Sequence, residues 1–229
     1  MTLPELQGDH HVHSTFSDDA VSTLAENIAA AAAAGLTALR CVDHVRSSTT
    51  WVPEFLAAVA AQPTHGLTVL TGVEAKLMSV AGDLDMPPGL GAVPVLIADH
   101  QFPGIDGPWS PGATIERGLA ASDAVDMLIT AYVNAMRARE NAQLAHPFSI
   151  LPKIGLSEND LSDEHLRVWA ATAAATGTLV EVNEKWSCPQ PRALRALRQA
   201  GARIVASTDA HTAGDVGRYS AVARLLDGL

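Results

Sequence analysis

The sequence predicts an α/β fold, specifically a seven-stranded (β/α)7 TIM-like barrel. Seven short apolar runs alternate with Ala/Leu-rich stretches along the 229 residues. Most of these runs end in histidine, aspartate or glutamate. The alternation alone also fits an open doubly wound sheet, in which seven strand ends would lie along a line. Only a barrel brings them together on one face, so the polar residues favour the barrel.

The apolar runs predict seven parallel strands joined by helices. The strands are expected at residues 6–13, 38–44, 67–75, 93–100, 142–147, 178–184 and 202–211. A helix begins at about Thr23, because Thr23 and Glu26 form an S/T-x-x-E capping box and Gly35 supplies the stop. The other helices are expected near residues 53–62, 114–140, 158–176 and 189–200, and from about 215 to the end, with a Pro/Gly-rich loop at 103–112.

The composition narrows the class of protein. The formal net charge of −10 argues against polymeric nucleic acid or an anionic membrane as partner, although it does not exclude a small anionic substrate. Cys41 and Cys188 show no C-x-x-C spacing, so they predict neither a disulfide framework nor a zinc-thiolate cluster. With no signal-peptide pattern, membrane span or linker in the sequence, we expect a single cytoplasmic domain over residues 1–229.

The polar residues at the predicted strand ends have the composition of a metal site. His11 and His13 are two residues apart, which places both rings on one face of a strand, and Asp209 and His211 repeat this spacing. The complete set of candidate ligands is His11, His13, Asp18, His44, Glu74, His100, His146, Asp209 and His211. A mononuclear site needs about four ligands, so nine predict two or three divalent metal ions. Imidazole and carboxylate ligands suit Zn, Mn or Fe.

The same residues resemble the motifs of the PHP (polymerase and histidinol phosphatase) superfamily. The motifs H-x-H-[ST]-x-x-S-D, D-H, G-x-E, a lone His, H-P and S-D-A-H occur in this order. Here they stand as HVHSTFSD (11–18), VDH (42–44), GVE (72–74), DH (99–100), AHP (145–147) and STDAH (207–211). The last carries the extra residue Thr208. The resemblance implies a distorted seven-stranded barrel, a trinuclear metal centre and, for many members, phosphoesterase activity.

The resemblance also implies how the ligands divide among three metals. The first would be held by His11, His13, Glu74 and Asp209. Glu74 would bridge to a second, held by His100 and His146, and Asp18, His44 and His211 would hold the third. Asp19 is a rival to Asp18, because some relatives place this ligand one residue later.

A metal-bridging hydroxide is the expected nucleophile, since cations lower the pKa of water, and it would attack phosphorus in line. Glu74 and Asp209 are the predicted catalytic residues, with Asp209 able to shuttle a proton. Lys185, Arg218 and Arg46 are candidates to bind the phosphate of a small phosphorylated metabolite, and Lys76 is a further one.

Other polar residues have ordinary structural interpretations. His10 faces away from His11 and is expected in the core or behind the ligands. His65 is expected in a surface loop and His165 in a polar helix, neither with a role in the site. Glu181 and Asn183 either orient ligand rings or form a buried structural pair.

Three alternatives to the phosphoesterase remain. One is a metal-dependent hydrolase of the amidohydrolase type, whose bridging lysine has no counterpart here. Another is a nucleotide phosphatase or nuclease of the same family. The third is a non-catalytic module that binds metal for structure.

Overall fold

The computed structural model describes residues 4–227 and contains seven parallel barrel strands, numbered β1 to β7. They are β1 (Gly8–Val12), β2 (Ala38–Val45), β3 (Thr68–Leu77), β4 (Val95–Ala98), β5 (Gln143–Ala145), β6 (Leu179–Asn183) and β7 (Arg203–Ser207). Each overlaps one predicted strand. Neighbours in sequence are neighbours in the sheet from β1 to β7.

The barrel is nearly closed, which confirms the predicted fold class. β2 and β3 pair over eight residues, and in this register His44 lies opposite Glu74. β1 does not pair with β7 itself, and an isolated parallel bridge, Val12 with Ala210, joins β1 to the segment that follows β7. The register of β1 on β2 also shifts between Asp9 and Val12, so β1 is the most irregular strand of the barrel.

The helices are α1 (Leu24–Ala33), α2 (Val52–Ala60), α3 (Pro111–Glu116), α4 (Ala121–Ala138), α5 (Asp163–Thr176), α6 (Pro191–Ala200) and α7 (Ala221–Asp227). The predicted capping box is present at α1, where Thr23 N–H donates to Glu26 at 2.8 Å and Glu26 N–H donates to Thr23 at 3.3 Å. Gly35 follows with a φ of +75°, a conformation that glycine adopts without strain.

Three helix predictions need correction. The single helix expected at 114–140 is two helices, separated at Gly118, whose φ of +61° ends α3. The helix expected from 158 begins only at Asp163, because Ser162 caps it and a 3₁₀ turn precedes it. The last helix begins at Ala221 instead of about 215. Its predicted extension to the chain end reaches residues 228 and 229, which lie outside the described residues.

The apolar core lies mainly between the helices and the sheet. The largest cluster packs α4 and α5 on the strands and includes the fully buried Tyr132 and Trp169. A separate cluster of Val42, Leu96, Ala98 and Ala145 comes from alternate strand positions, as expected for side chains that fill a barrel interior. Among residues 4–227, no helix is both long and apolar enough to cross a membrane.

The loops after β3 and β4 carry the remaining strands. Leu84–Asp85 pairs antiparallel with the end of β3, and Phe102–Pro103 forms a small hairpin with Pro108–Trp109. These segments follow the carboxyl ends of barrel strands, so they lie on the face where the candidate ligands converge.

Candidate metal centre

The carboxylate of Glu74 lies at the centre of the candidate site. It is 2% exposed and stands on β3 opposite His44. Five imidazole rings surround it. Its Oε2 lies 3.4 Å from Nε2 of His11, 3.4 Å from Nε2 of His13 and 2.8 Å from Nδ1 of His44. Its Oε1 lies 3.2 Å from Nε2 of His100 and 3.1 Å from Nε2 of His146. One buried carboxylate therefore contacts side chains from four strands or their ends.

Asp209 forms a second carboxylate contact beside Glu74. Its Oδ1 lies 3.2 Å from Nε2 of His13 and 3.9 Å from Nε2 of His11. Asp209 has a φ of +55°, and its Oδ1 also lies 3.6 Å from Nδ1 of His211. Three atoms, one each from His11, His13 and Asp209, lie within 4.8 Å of one another.

A third group lies toward the solvent. The Nε2 atoms of His44 and His211 lie 3.4 and 3.2 Å from Oδ2 of Asp19. Asp18 instead points outward, 72% exposed, with Oδ2 at 3.5 Å from Nη2 of Arg46. Of the two alternatives raised by the sequence, the geometry favours Asp19. The carboxylate expected from Asp18 is the one predicted ligand that the structure does not bring to the cluster.

The candidate ligand atoms form three sets, each of three mutually close atoms, and these sets share residues. His13, His44 and His211 form one set of mutually close ligand atoms, and His44, Glu74 and His100 form another. His13 also belongs to the third set, with His11 and Asp209, and His44 belongs to both of the first two sets. The candidate ligands therefore form one continuous cluster, as a multinuclear site requires.

Hydrogen bonds behind the ligands orient the buried rings. Nδ1 of His11 lies 2.9 Å from Glu181, and Nδ1 of His146 lies 3.0 Å from Ser149, whose hydroxyl donates to Asp99 at 2.5 Å. In both cases Nε2 faces Glu74. A carboxylate or hydroxyl on one ring nitrogen holds the other toward a metal, so these contacts are of the kind that orients metal-binding histidines. The alternative in which Glu181 orients ligand rings therefore fits the geometry.

Asp43 plays the corresponding part for the loop after β1. It accepts hydrogen bonds from the hydroxyls of Ser14 and Ser17, both at 2.6 Å, and Ser17 lies 3.3 Å from Nδ1 of His13. Sequence reasoning assigned no such role to Asp43 or Asp99. A signal was present, because each directly precedes a candidate ligand, Asp43 within β2 and Asp99 just after β4. Because side chains alternate between the two faces of an extended chain, each aspartate points to the face opposite the ligand, and a carboxylate buried there needs hydrogen-bond donors.

Trp186 was also missed. Its Nε1 donates to Oδ2 of Asp209 at 2.8 Å, and its ring centroid is 5.5 Å from that of His146. Lys153 lies over the same indole, 4.1 Å from the ring centroid. Trp186 therefore forms one wall of the site and fixes the orientation of the Asp209 carboxylate.

The electrostatics keep both central carboxylates ionised. Burial alone would raise their pKa values, but His11 and His100 hold the pKa of Glu74 well below its usual range. His13 and His11 similarly lower the pKa of Asp209. Burial opposes charge on His146, yet Asp99 and Glu74 raise its pKa to about 10, whereas burial lowers the pKa of His13 to about 4. The buried anionic centre thus demands compensating positive charge.

Divalent cations fit this requirement. Within residues 4–227, Oε2 of Glu74 and Nε2 of His100 are buried without a hydrogen bond of acceptable geometry. Nε2 of His11 and Nε2 of His13 approach to 2.9 Å, although at most one proton can lie between them. Unpaired acceptor atoms that converge in this way are typical of ligands arranged around a cation, and imidazole with carboxylate suits Zn, Mn or Fe.

The candidate phosphate-binding residues lie on two sides of the cluster. Lys185 and Arg218 line a cleft of about 610 Å³ beside Asp209 and His211, and Nζ of Lys185 is 3.4 Å from Oδ2 of Asp209. A smaller cleft of about 230 Å³ lies beside His44, Glu74 and His100, and its lining includes Arg46 and Lys76. Both clefts thus combine candidate ligands with cationic side chains.

Three histidines lie outside the cluster, as predicted. His65 is exposed in a loop, and His165 pairs with Asp126 at 2.7 Å on the outer helices. His10 lines a separate cleft with Gly8, Thr37 and neighbouring residues. None of these three histidines belongs to the sets of candidate ligand atoms described above.

A known protein family matches most of the chain. A model of the PHP domain family matches residues 9–219. A protein of Photobacterium profundum named a probable phosphatase is 27% identical over 232 aligned positions, which cover 95% of this chain and 83% of that protein. A probable phosphatase of Caldanaerobacter subterraneus is 25% identical over 240 aligned positions, covering 96% of this chain and 82% of that protein.

The fold also has a solved counterpart. The crystal structure of histidinol phosphate phosphatase from Lactococcus lactis, complexed with zinc, L-histidinol and phosphate, superposes with a TM-score of 0.64. The match covers 96% of this chain and 91% of that chain, at 15% sequence identity. At this identity the similarity establishes a shared fold.

Proposed function

The chain belongs to the PHP domain family, and on that premise we propose that it is a metal-dependent phosphoesterase that hydrolyses a small phosphomonoester. The observation that carries the proposal is the position of Glu74, buried among five imidazoles at the carboxyl ends of the barrel strands. Relatives named probable phosphatases, similar over almost the whole chain, support the same activity.

We assign two or three divalent cations, Zn, Mn or Fe, to this cluster. His11, His13, Glu74 and Asp209 would hold the first, Glu74, His100 and His146 the second, and His44, His211 and Asp19 the third, with Asp19 in place of Asp18. When bound, the cations would supply Lewis acidity to the phosphoryl oxygens and a nucleophile at neutral pH. The protein contributes the oriented ligands and the charge around them.

The substrate phosphate would be bound by cationic side chains at the rim. Lys185 is the strongest candidate, because its ammonium lies within 3.4 Å of both Asp209 and His211. Arg218 lines the same cleft, and Arg46 stands on the opposite side of the cluster. A guanidinium can contact two phosphate oxygens at once, so either arginine would orient the ester as well as attract it.

The larger cleft suits the organic half of the substrate. Its volume of about 610 Å³ lies in the range of pockets for small molecules, and its lining includes Tyr219 and Ser220. A polymer would need an open groove lined by many cations, whereas the chain carries a net charge of −10. A free phosphorylated metabolite is therefore the proposed substrate class.

Asp209 is better arranged as an ionised ligand than as a proton donor. Its Oδ1 faces His13, and its Oδ2 accepts from Trp186 and lies near Lys185. Because the pKa of this carboxyl is lowered, it holds no proton to give at neutral pH. A role in accepting and passing on a proton would require it to exchange one of these contacts during the reaction.

The proposal is tested by phosphate release from p-nitrophenyl phosphate with added Mn²⁺ or Zn²⁺, followed by a panel of phosphorylated metabolites that includes L-histidinol phosphate. Activity should vanish with chelator and with His13→Asn. His65→Asn makes the same chemical change at an exposed loop position and should retain full activity. A protein that binds Mn²⁺ tightly but releases no phosphate from any ester would instead be a non-catalytic metal-stabilised module.

A further inference from the structure

The seam between β1 and β7 is held by few backbone contacts. The bridge of Val12 with Ala210 is accompanied by one hydrogen bond, in which His13 N–H donates to Ala210 at 2.9 Å. Tyr219 adds a side-chain contact by donating its hydroxyl to the carbonyl of Gly8 at 2.7 Å. The segment after β7 therefore needs other contacts to hold its position against β1.

The carboxylate of Asp9 supplies most of them. It is fully buried and accepts four hydrogen bonds. Oδ1 accepts from the backbone N–H of Thr208 at 3.0 Å and of His11 at 3.4 Å, and Oδ2 accepts from the Thr208 hydroxyl at 2.5 Å and from the Gly217 N–H at 3.0 Å. One side chain of β1 thus ties down two separated points of the segment that follows β7.

These two points flank functional candidates. Thr208 directly precedes Asp209, and Gly217 directly precedes Arg218. Asp209 adopts a φ of +55°, a left-handed conformation that is unfavourable for a residue other than glycine and persists only where neighbouring contacts impose it. The hydrogen bonds to Thr208 on one side and the bridge at Ala210 on the other impose it here.

Gly217 is shaped for this contact. Its φ is +69°, and a Cβ at this position would lie 3.1 Å from Leu36. The backbone therefore turns closely over the residues that follow α1 and directs its N–H to Asp9. A side chain here would displace the turn that carries Arg218.

From this arrangement we propose that Asp9 is a positioning residue for the reaction. It holds Thr208 so that Asp209 faces the ligand cluster, and it holds Gly217 so that Arg218 stands at the cleft. Asp9 itself contacts neither metal nor substrate in this assignment. The catalytic consequence rests on the proposed phosphoesterase function, whereas the consequence for metal binding does not.

The two halves of the contact can be separated by substitution. Asp9→Asn keeps the shape but leaves only one acceptor oxygen, so the Gly217 N–H or the Thr208 donors lose their partner. Thr208→Val removes only the hydroxyl next to Asp209. Thr172→Val is the matched control, because it removes an equally buried threonine hydroxyl that donates within α5, remote from the site.

The measurements are Mn²⁺ affinity by titration calorimetry, kcat and KM with p-nitrophenyl phosphate, and Tm. Partners behind metal ligands typically contribute 10- to 100-fold to affinity or activity, and we expect losses of this size for Asp9→Asn in Mn²⁺ affinity and in kcat/KM. Thr208→Val should lower Mn²⁺ affinity and kcat by a smaller factor, roughly 3- to 10-fold, and leave KM within about twofold. Thr172→Val should change neither affinity nor kcat.

Wild-type Mn²⁺ affinity and kcat in both seam variants, even with a lower Tm, would overturn the proposal, because Asp9 would then act only in folding. If Asp9→Asn does not fold, the split between kcat and KM in Thr208→Val decides alone. If the wild-type protein hydrolyses no phosphate ester, the proposed function fails, but the Mn²⁺ affinities still test Asp9.

Discussion

Two seams of the same barrel position ligands in different ways. β2 and β3 pair over eight residues, and the backbone register itself sets His44 opposite Glu74. β1 and the segment after β7 share one bridge, and the candidate ligands His13 and Asp209 that follow these strands are held largely by side-chain hydrogen bonds. Placement by a long ladder tolerates changes in neighbouring side chains, whereas placement at the β1–β7 seam depends on particular buried groups.

The largest effect on activity is expected for Glu74→Gln, in the regularly paired strands β2 and β3. The amide keeps the shape but removes the negative charge that five imidazoles surround, so cation binding loses its central anion. We expect kcat to fall at least about 10³-fold, which corresponds to about 4 kcal/mol, together with lower Mn²⁺ stoichiometry by elemental analysis. Retained stoichiometry and rate would show that the ladder does not supply the central ligand.

A smaller effect on activity is expected for Glu181→Gln, because Glu181 contacts His11 on β1, one of the two strands at the seam. The amide still contacts Nδ1 of His11 but no longer favours the ring with Nε2 free for a cation. Mn²⁺ affinity and kcat should each fall about 10- to 100-fold. Glu164→Gln, at an exposed position on α5, serves as the control and should match wild type. Equal behaviour of the two variants would contradict a role for Glu181 behind the ligands.

Alanine substitutions at two glycines, one at the seam and one outside it, compare how much each region contributes to the free energy of unfolding. Gly217→Ala at the seam forces a side chain into a left-handed turn and against Leu36, whereas Gly35→Ala meets a similar φ with nothing within 4 Å. We expect losses of about 2–3 kcal/mol and about 1 kcal/mol respectively, or about 2–4 °C in Tm per kcal/mol. Thermal unfolding measures both. A smaller loss at Gly217 would mean that the seam adapts more freely than its contacts imply.

The smallest effect concerns Glu158, which holds a loop as Asp9 does but lies away from the ligands. Both its oxygens accept from the Gln190 N–H, yet burial and the nearby Asp99 raise its pKa to about 7, against the lowering effect of Gln190 and Arg192. Because the folded protein binds this proton more tightly than the unfolded chain, the stability contributed by Glu158 is present at pH 4.5 and is lost as pH rises through 7.

Glu158→Gln should therefore reduce the fall in Tm between pH 5 and pH 8 by a few degrees, about 1 kcal/mol after allowance for partial exposure. Differential scanning calorimetry at several pH values measures this change, and Mn²⁺ affinity should stay at the wild-type level. A change in Mn²⁺ affinity would place this loop in the same network as the seam.

Much of the fold follows from local sequence patterns. Each of the seven strands overlaps its predicted range, and the capping box at Thr23 forms as expected. The errors lie where a local signal competes with packing. The break at Gly118 interrupts a stretch of good helix formers. The late start of α7 follows from the contact of Gly217 with Asp9 and from Glu184, which accepts from the N–H groups of Ser220 and Ala221 where the helix begins.

The candidate site was predictable where strands carry it and uncertain where loops do. His11 and His13 converge because residues two apart on a strand face the same way. Asp18 and Asp19 are adjacent in a loop, so no periodicity distinguishes them, and contacts with Arg46, His44 and His211 decide which carboxylate faces the cluster. Trp186 carried no signal, because its role depends on reaching across to Asp209.

The sequence by itself determined that this protein alternates strands and helices and that six histidines and two carboxylates stand at strand ends, since both facts depend on spacing along the chain. Only the tertiary structure decided that the carboxylate of Asp19, and not that of Asp18, faces the cluster, that Asp9 spans the incomplete seam and that two clefts flank the cluster. The physical reason is range: a strand sets the direction of its side chains over two residues, whereas the partners of a loop or a buried carboxylate come from segments up to 208 residues away.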